Sequence, residues 1–423
     1  MSKWPASHLT DLRGASRLAV DGVLGLTHLV ESLHHNIARR PGIFGPSVPG
    51  PTRGITGFSY RSVRWVTKLV GGSLDAALAT LVPAASTQGV SPRREAILAA
   101  LNGVLGDRLA DTGNPLAITM SFRQGGQALA LNTDALRTAF DQPTGKLLIY
   151  LHGLCMNDLQ WGPQSAPGDP EEANIANLSA AATLACELGC TPLYLHYNTG
   201  RHISHNGRDF SVLMDEVVCN WPVPVTEITI VAHSMGGLVA RSACNDAAVS
   251  TREWLRYLKK LVFLGTPHLG APLERGGNWV DVILGISPYT APFARLGKMR
   301  SAGITDMRYS NLLEEDWAGR DRFARSPDRP KPLPLPKGVK CYAVAATTGK
   351  RTRDMSDRLL GDGLVPVDSA LGRHADASRC LALPATHTWI AYGMNHFELL
   401  HDSAVYERLG RWLAPRPAGT ILA

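Results

Sequence analysis

The sequence predicts a protein of the α/β class, with a mostly parallel central sheet, helices on both faces, a cap insertion and an N-terminal helical extension. Short apolar runs alternate with helical stretches over most of the chain. Such alternation with short connections is typical of parallel sheets that are covered on both faces. A segment over about residues 270–336 interrupts the alternation, and the residues before about 112 show mainly helical periodicity.

The N-terminal region, residues 1–112, contains several helical patterns. Apolar residues recur at helical spacing over residues 9–38, 61–82 and 92–109. A stretch rich in Gly and Pro from Pro41 to Gly57 separates the first two patterns. Ser91 followed by Pro92 is typical of a helix N-cap and first helical position. The apolar faces of these helices predict docking on the rest of the chain, contact with a partner, or peripheral contact with a membrane.

The second region, residues 113–423, carries the strand–helix alternation and is the expected catalytic domain. A hairpin is expected from residues 116–122 and 128–131, which flank a Gly-Gly pair. Strands are predicted from apolar runs at residues 147–151, 192–196, 228–232, 260–264 and 339–345. Helices are expected near residues 171–188, 207–219, 235–247 and 397–413. Residues 270–336 are rich in aromatic and aliphatic side chains and end in a Pro-rich stretch, which predicts a cap over a pocket with a stiff linker.

Composition limits the classes of partner. The chain has 423 residues, 44% apolar and 19% charged, which is long enough to bury a large core and apolar enough to fold. Its formal net charge is +7, and a basic balance can favour anionic membrane surfaces or nucleic acid. No block of Lys and Arg with interleaved aromatics and no zinc-finger spacing is present, so we expect no nucleic-acid partner.

The cysteines and the N-terminus bear on location. Seven cysteines are scattered along the chain, and Cys186 and Cys190 lack the second pair that a zinc site needs. This usage predicts free, buried thiols in a reducing compartment. The N-terminus lacks a signal-peptide pattern, and no apolar run is long enough to span a membrane. We therefore expect a cytoplasmic protein, with membrane association left open.

The strongest sequence signal is a strand that leads directly into a serine and then a helix, over residues 228–241. Ser234 is flanked by the small residues Ala232 and Gly236, as a tight and strained turn requires. The helix after the serine would direct amide groups toward developing negative charge. This strand–turn–helix context is that of the nucleophile elbow of an α/β-hydrolase fold, and it predicts Ser234 as the nucleophile.

A second signal lies upstream of the serine, where a buried strand ends in His152-Gly153-Leu154. Gly153 would let the backbone turn so that the Leu154 amide faces the pocket. Together with the Met235 amide, the Leu154 amide is predicted to form an oxyanion hole.

The acid of this fold follows the serine and precedes the histidine. Asp362 lies between two glycines in Gly-Asp-Gly-Leu-Val-Pro, just past a predicted strand, and is the expected carboxylate. Asp357 and Asp368 compete with it. Asp357 lacks flanking glycines, and Asp368 falls at the start of a following segment.

The base is expected near the C-terminus, in a loop before the last helix. His396 follows Gly-Met-Asn and precedes that helix, so it is the predicted base. His401 is expected one turn into the helix, and His387 lies in a strand pattern that favours a structural role.

Three motifs together resemble bacterial lipases and esterases of the α/β-hydrolase superfamily, and in particular the lipase-like group related to GPI-inositol deacylases. These motifs occupy residues 232–237, 265–268 (Gly-Thr-Pro-His) and 361–366. The resemblance covers roughly residues 145–412. It implies ester hydrolysis through an acyl-enzyme without a cofactor, and it supports Ser234, Asp362 and His396 by motif position.

Residues 197–204, Tyr-Asn-Thr-Gly-Arg-His-Ile-Ser, also resemble that group, although the sequence assigns them no role. They follow a strand, so they are expected to line the rim of the pocket. His196, His202 and His205 suggest a metal site, but packing and hydrogen bonding in the loop is the favoured interpretation, and no metal is predicted.

These observations predict a serine carboxylesterase or lipase that acts on a small-molecule or lipid ester, with a place in lipid metabolism. Two alternatives use the same triad, namely an acyltransferase and a polyester depolymerase. A further alternative is a protein that retains the fold without hydrolysis and binds a membrane or a partner. No oligomeric state is predicted.

Overall fold

The structure is a computed structural model, which describes residues 6–39, 60–75 in part, 91–162, 179–270, 300–321, 333–349 and 361–414. The chain divides into two compact units. The first comprises Met1–Gly89 and Leu109–Ala117, and the second comprises Val90–Arg108 and Ile118–Ala423.

The first unit is helical in its described residues between 6 and 75, whereas residues 112–117, which also belong to it, form turns. Helix α1 spans Ala6–Arg39, and the described residues between 60 and 75 are helical as well. Arg13 and Arg17 both pair with Asp75, which links these two helical stretches. The helical predictions for 9–38 and 61–82 are thus confirmed where residues are described, whereas the stretch from Pro41 to Gly57 lies outside them.

Several apolar side chains of the first unit are exposed. Leu12 and Val23 on α1 are 53% and 46% exposed, and Trp65 is 65% exposed. Whether these helices dock, contact a partner or lie on a membrane stays a prediction, as does the boundary at residue 112. No helix in the described part of the chain is both long and apolar enough to cross a bilayer.

The second unit contains one mixed sheet. Its strands are β1 (Ser121–Gln124), β2 (Gln127–Ala128), β3 (Lys146–Leu151), β4 (Thr191–His196), β5 (Glu227–His233), β6 (Leu258–Leu264), β7 (Lys340–Thr347) and β8 (Thr388–Tyr392). Among the described residues the strand order is β2-β1-β4-β3-β5-β6-β7-β8. β1 is antiparallel to both of its neighbours, and all other neighbouring strands are parallel.

The central strands are buried on both faces, as the apolar runs predict. Residues 147–151 of β3 are fully buried, and so is β5 apart from its first residue and a slight exposure of Thr229. Parallel strands need helical crossovers, and these crossovers cover the two faces. Because β3, β5 and β6 run in the same direction, the residues that follow them meet at one edge of the sheet.

Helices accompany the strands of this unit. Those with defined bounds are α2 (Pro92–Asp111, whose last residues belong to the first unit), α3 (Thr133–Ala139), α4 (Ala180–Glu187), α5 (Ile203–Asn220), α6 (Met235–Val249), α7 (Ala302–Tyr309), α8 (Val367–Ala370) and α9 (Ser403–Leu413). Helices α5 and α6 approach closely at Gly207, where a Cβ atom would lie 2.4 Å from Ser242 Oγ.

The sequence predicted most of these elements and misplaced a few. Helix α3 was not predicted, and β8 was indicated only by the strand pattern at His387, which the structure places in a short turn directly before β8. The last helix begins at Ser403 rather than near residue 397, because Asp402 caps it through the amide of Ala404. His401 therefore precedes this helix instead of lying within it. In the expected cap, residues 271–299 and 322–332 lie outside the described part, and residues 302–309 form α7.

All seven cysteines are free, but they are not all buried. Cys244 and Cys341 are buried, whereas Cys186, Cys219 and Cys380 are exposed. The prediction of buried thiols is therefore wrong for these three, which lie on the outer surfaces of helices or in a loop where an apolar side chain is not required.

Candidate active site

Ser234 lies at a sharp turn between a strand and a helix. It follows the last residue of β5 and precedes Met235, the first residue of α6. Its backbone has φ 53° and ψ −122°, a conformation that side-chain-bearing residues rarely adopt. The Ser234 amide donates to the Leu264 carbonyl at 2.8 Å, which joins the turn to the end of β6. The site thus has the strained geometry that the sequence pattern predicted.

The residues after Ser234 leave no room for side chains. A Cβ atom at Gly236 would lie 2.7 Å from the His152 carbonyl oxygen. One at Gly237 would lie 2.0 Å from Thr266 Oγ1. These approaches bring the ends of β3 and β6 against the start of α6, so the glycines are required by close packing.

The loop after β3 passes directly beside the serine. A Cβ atom at Gly153 would be 3.0 Å from Ser234 Cβ. The amides of Leu154 and Met235 have no hydrogen-bond acceptor among the described residues. Met235 is also the first residue of α6, where the helix dipole favours negative charge. Two donors that can hold an oxyanion therefore lie in the turns that flank the serine.

The predicted acid and base form a buried pair. His396 Nδ1 donates to Asp362 Oδ2 at 2.6 Å, and both residues are about 2% exposed. The other carboxylate oxygen of Asp362 accepts from the Leu364 and Val365 amides at 3.0 and 2.8 Å. These donors fix the orientation of the carboxylate group. The pair has the geometry needed to orient an imidazole and to stabilise its protonated form.

The second ring nitrogen of the pair, His396 Nε2, is buried and has no hydrogen-bond partner among the described residues. The ring lies against Gly265, where a Cβ atom would be 2.9 Å from His396 Cε1. Gly265 directly follows Leu264, whose carbonyl accepts from the Ser234 amide. The imidazole and the serine therefore flank the same short segment, although no hydrogen bond joins the Ser234 hydroxyl to His396.

His233, the residue before the serine, contacts the base. Its Nε2 donates to the His396 carbonyl at 3.0 Å, and the two ring centroids are 4.6 Å apart. Burial lowers the pKa of His233 well below 6.5, so its imidazole is neutral. The sequence around His233 does not indicate this contact, since it spans 163 positions of the chain.

The competing acids and bases lie elsewhere. Asp368 is exposed on α8, and Asp357 is outside the described residues. His387 Nδ1 bonds to the Cys341 carbonyl at the beginning of β7, which is the opposite edge of the sheet. His401 is partly buried and makes no hydrogen bond to Asp362.

The histidines considered for a metal each have protein partners. His196 lies 3.3 Å from Asp158, and His202 Nδ1 bonds to Asp306 at 2.9 Å. His205 packs edge-on against Trp317. Within the described part of the chain, no group of three or more His, Cys, Asp and Glu side chains could hold a metal ion.

The Gly-Thr-Pro-His segment, residues 265–268, connects α6 with α8. His268 Nδ1 accepts from the buried Arg241 guanidinium at 3.3 Å, and the His268 amide donates to the Ser369 carbonyl on α8. Burial lowers the pKa of Arg241 to about 10. The segment thus supports the region directly after Asp362, which the sequence motif alone did not indicate.

The strand order, the parallel central strands and the serine at the β5–α6 turn decide the fold. The chain has the α/β-hydrolase fold. A family profile described as a domain of unknown function (DUF7379) matches residues 121–307. No curated protein matches this chain.

Several solved structures of this fold are similar to the chain. A lipase of Bacillus licheniformis in its mature form is 16% identical, with 65% of this chain and 95% of that chain covered and a TM-score of 0.39. A lipase-esterase related protein from Clostridium acetobutylicum is 11% identical over 63% and 94% of the two chains, with a TM-score of 0.34. An esterase of Pyrococcus furiosus is 12% identical over 64% and 80%, with a TM-score of 0.36.

Proposed function

We propose that the protein is a serine hydrolase that cleaves carboxylic esters, as a carboxylesterase or lipase. Ser234 is the nucleophile, His396 the base and Asp362 the acid, with the Leu154 and Met235 amides as the oxyanion hole. The observation that supports this most is the buried His396–Asp362 pair. Its imidazole packs against Gly265, and the carbonyl of the preceding Leu264 accepts from the amide of Ser234, which lies in a strained turn.

In the proposed reaction, His396 Nε2 takes the hydroxyl proton while Ser234 Oγ attacks the ester carbonyl carbon. The carbonyl π electrons move onto oxygen, which accepts from the Leu154 and Met235 amides. The intermediate collapses, the alcohol leaves with the proton from His396, and an acyl-enzyme remains. Water then repeats these steps and releases the acid. Asp362 stays ionised throughout and stabilises the imidazolium.

The proposed substrate class is a small-molecule or lipid ester, and a role in lipid metabolism belongs to the same proposal. The resemblance to the lipase-like group related to GPI-inositol deacylases supports it. One of the motifs that carry this resemblance, residues 265–268, links α6 to α8 through His268, Arg241 and Ser369.

Replacement of Ser234 by alanine tests the proposal. We expect Ser234→Ala to lower kcat for nitrophenyl esters by on the order of 10⁴-fold or more, because a triad member is lost. Initial rates over a series of acyl lengths, from acetate to a long-chain ester, provide the measurement and locate the preferred chain length.

Ser250→Ala is the matched control, because Ser250 is exposed at the other end of α6 and should retain the wild-type rate. A fluorophosphonate probe followed by peptide mass spectrometry should modify Ser234 in the wild-type chain. Full activity of Ser234→Ala, or no labelling at that serine, would contradict the proposal and favour the non-catalytic alternative.

A further inference from the structure

The segment after β4, residues 197–200, lies against the loop that carries the Leu154 amide. We call residues 152–156 the oxyanion loop. Thr199 Oγ1 accepts from the Cys155 amide at 3.2 Å. The Tyr197 hydroxyl donates to the His152 carbonyl at 2.8 Å, and its ring stacks on that of His152 with centroids 4.4 Å apart. Tyr197 and Thr199 are both buried.

The oxyanion loop has a conformation that needs such support. Cys155, the residue after Leu154, has φ 57°. A residue with a side chain keeps this left-handed conformation only when surrounding contacts hold it there. The Thr199 hydroxyl is the acceptor for the Cys155 amide, so it holds the peptide on the C-terminal side of Leu154.

The peptide that contains the Leu154 N–H is fixed through its carbonyl end. That carbonyl, of Gly153, accepts from His152 Nδ1 at 2.9 Å and from the Met156 amide at 3.3 Å. In a trans peptide the N–H points away from the carbonyl. The Leu154 N–H is therefore directed away from these two donors.

Tyr197 in turn fixes the imidazole of His152. The Tyr197 amide donates to His152 Nε2 at 3.4 Å, so the proton of the neutral ring is on Nδ1, where it bonds to Gly153. Burial lowers the pKa of His152 to about 3, which keeps this tautomer neutral at ordinary pH.

The 197–200 segment is itself held on its other side. Asn198 Nδ2 donates to the Gly106 carbonyl at 2.8 Å, and its Oδ1 accepts from the Gly200 amide at 3.0 Å. The Gly303 amide donates to the Gly200 carbonyl at 3.0 Å, and a Cβ atom at Gly303 would lie 2.1 Å from the Thr199 carbonyl oxygen. These contacts fix residues 197–200 in place. The segment can therefore act as a rigid support for the oxyanion loop.

We propose that Thr199 and Tyr197 are positioning residues for the oxyanion hole, which set the direction of the Leu154 amide through Cys155 and His152. The proposal rests on the proposed function, because it concerns the same reaction. It also gives a physical role to the Tyr-Asn-Thr-Gly motif.

Replacement of Thr199 by valine removes the hydroxyl with almost no change in shape. We expect Thr199→Val to lower kcat by about 10- to 100-fold. This is less than the loss expected when an oxyanion donor is removed completely, because the Leu154 amide remains but is less well oriented. KM should change by less than about twofold. Thr199→Ser keeps the acceptor and should restore most of the rate. If Thr199→Val does not fold, Tyr197→Phe removes the hydroxyl that holds the His152 carbonyl and is measured in the same way.

Thr191→Val is the matched control. Thr191 is buried at the opposite end of β4, and its hydroxyl accepts from the Thr144 amide at 2.8 Å. The same chemical change far from the oxyanion loop should leave kcat within about twofold of wild type. A change in packing at this distance should not move the reacting groups.

A trifluoromethyl ketone separates an effect on the oxyanion from general damage. Ser234 Oγ adds to its carbonyl carbon, the hydroxyl proton passes to His396, and the π electrons form an oxyanion in the hole. Its affinity for Thr199→Val should fall by the same factor as kcat/KM, while a product carboxylate should bind as it does to wild type.

Equal kcat and equal ketone affinity in Thr199→Val and Thr191→Val would overturn the inference. So would a failure of Thr199→Ser to restore the rate. Full activity of Ser234→Ala would instead remove the proposed function, so the two failures are distinguishable.

Discussion

His233 has its two ring nitrogens in different surroundings. Nε2 donates to the His396 carbonyl, whereas Nδ1 is buried without a hydrogen-bond partner among the described residues. The side chain therefore acts as one directed donor, which fixes the backbone of the proposed base next to the proposed nucleophile. Position 233 is thus a candidate for control of base geometry without any contact to substrate.

Variants at His233 should separate this donor from simple space filling. Glutamine can place an amide N–H near the position of Nε2, whereas leucine cannot. We expect His233→Leu to lower kcat by about 10-fold or more and to cost about 1–3 kcal/mol of stability, because the His396 carbonyl loses its donor. His233→Gln should retain most of the rate.

The measurements are kcat against pH and the urea unfolding midpoint for both variants. If His233 positions the base, the acidic limb of the pH–rate profile should change in His233→Leu and stay near wild type in His233→Gln. A loss of space filling alone would not produce this difference. Identical profiles in the two variants would contradict the positioning role.

Among single residues, the sequence predicted those that a short motif of neighbouring residues identifies. Ser234 and Asp362 lie in glycine-rich turns that short motifs reveal, and His396 lies shortly before the last helix. His233 was given no role and Thr199 was named only within the 197–204 motif, because their partners are 163 and 44 positions away. Hydrophobic periodicity and motif spacing do not indicate contacts between residues so far apart in the sequence.

At the scale of elements, the close approach of α5 and α6 depends on Gly207. A Cβ atom there would lie 2.4 Å from Ser242 Oγ and 3.0 Å from the Ala243 amide nitrogen. The second of these is backbone, which cannot rotate away. Because α6 begins directly after Ser234, the packing of these two helices also supports the position of the turn.

We expect Gly207→Ala to destabilise the protein by about 1–3 kcal/mol, because the added methyl group forces the two helices apart. Gly410→Ala is the control, since Gly410 in α9 has only Leu184 Cδ1 near its Cβ position, at 3.9 Å. Alanine in place of glycine in an uncrowded helix should raise the free energy of unfolding by about 0.5–1 kcal/mol. Urea unfolding provides both values, and a stable Gly207→Ala would contradict the packing argument.

The strands that were predicted are those with continuous apolar runs, such as β3 and β5, which are buried on both faces. β8 was given no bounds beyond the strand pattern at His387, because it is an edge strand of the sheet and only half-buried, with one fully buried residue among five. Its sequence therefore lacks a long apolar run. The start of α9 was misplaced because residues 398–400 form a separate short turn before Asp402.

For the whole molecule, buried histidines link stability to pH. Burial lowers the pKa of His152 to about 3 and the pKa values of His233 and His268 well below 6.5. In the unfolded chain these groups titrate near 6.5. Between that pH and their folded pKa values, the unfolded state binds more protons, so stability falls as pH falls.

We expect the free energy of unfolding to decrease below about pH 6.5 by roughly 1.4 kcal/mol per pH unit for each of these histidines. Most carboxyl groups titrate below this window. Urea unfolding at pH 7.5, 6 and 5 measures the slope. His233→Gln removes one titrating group and should make the slope shallower, and an unchanged slope would exclude His233 as a contributor.

The α/β class and the parallel sheet could be predicted at this scale, since both follow from the alternation of strands and helices. The order of the strands could not, because it depends on which face each crossover takes. The N-terminal helices were predicted from periodicity, but their apolar faces do not specify what covers them, as the exposure of Leu12 and Trp65 illustrates.

At Ser234, the stability of the fold and the reactivity of the side chain make opposite demands on one position. A glycine there would accept φ 53° without cost and should make the chain harder to unfold, but it would have no hydroxyl. Selection for durability alone would therefore remove the serine. A serine in a conformation of this kind is what a turn shaped for chemistry would require.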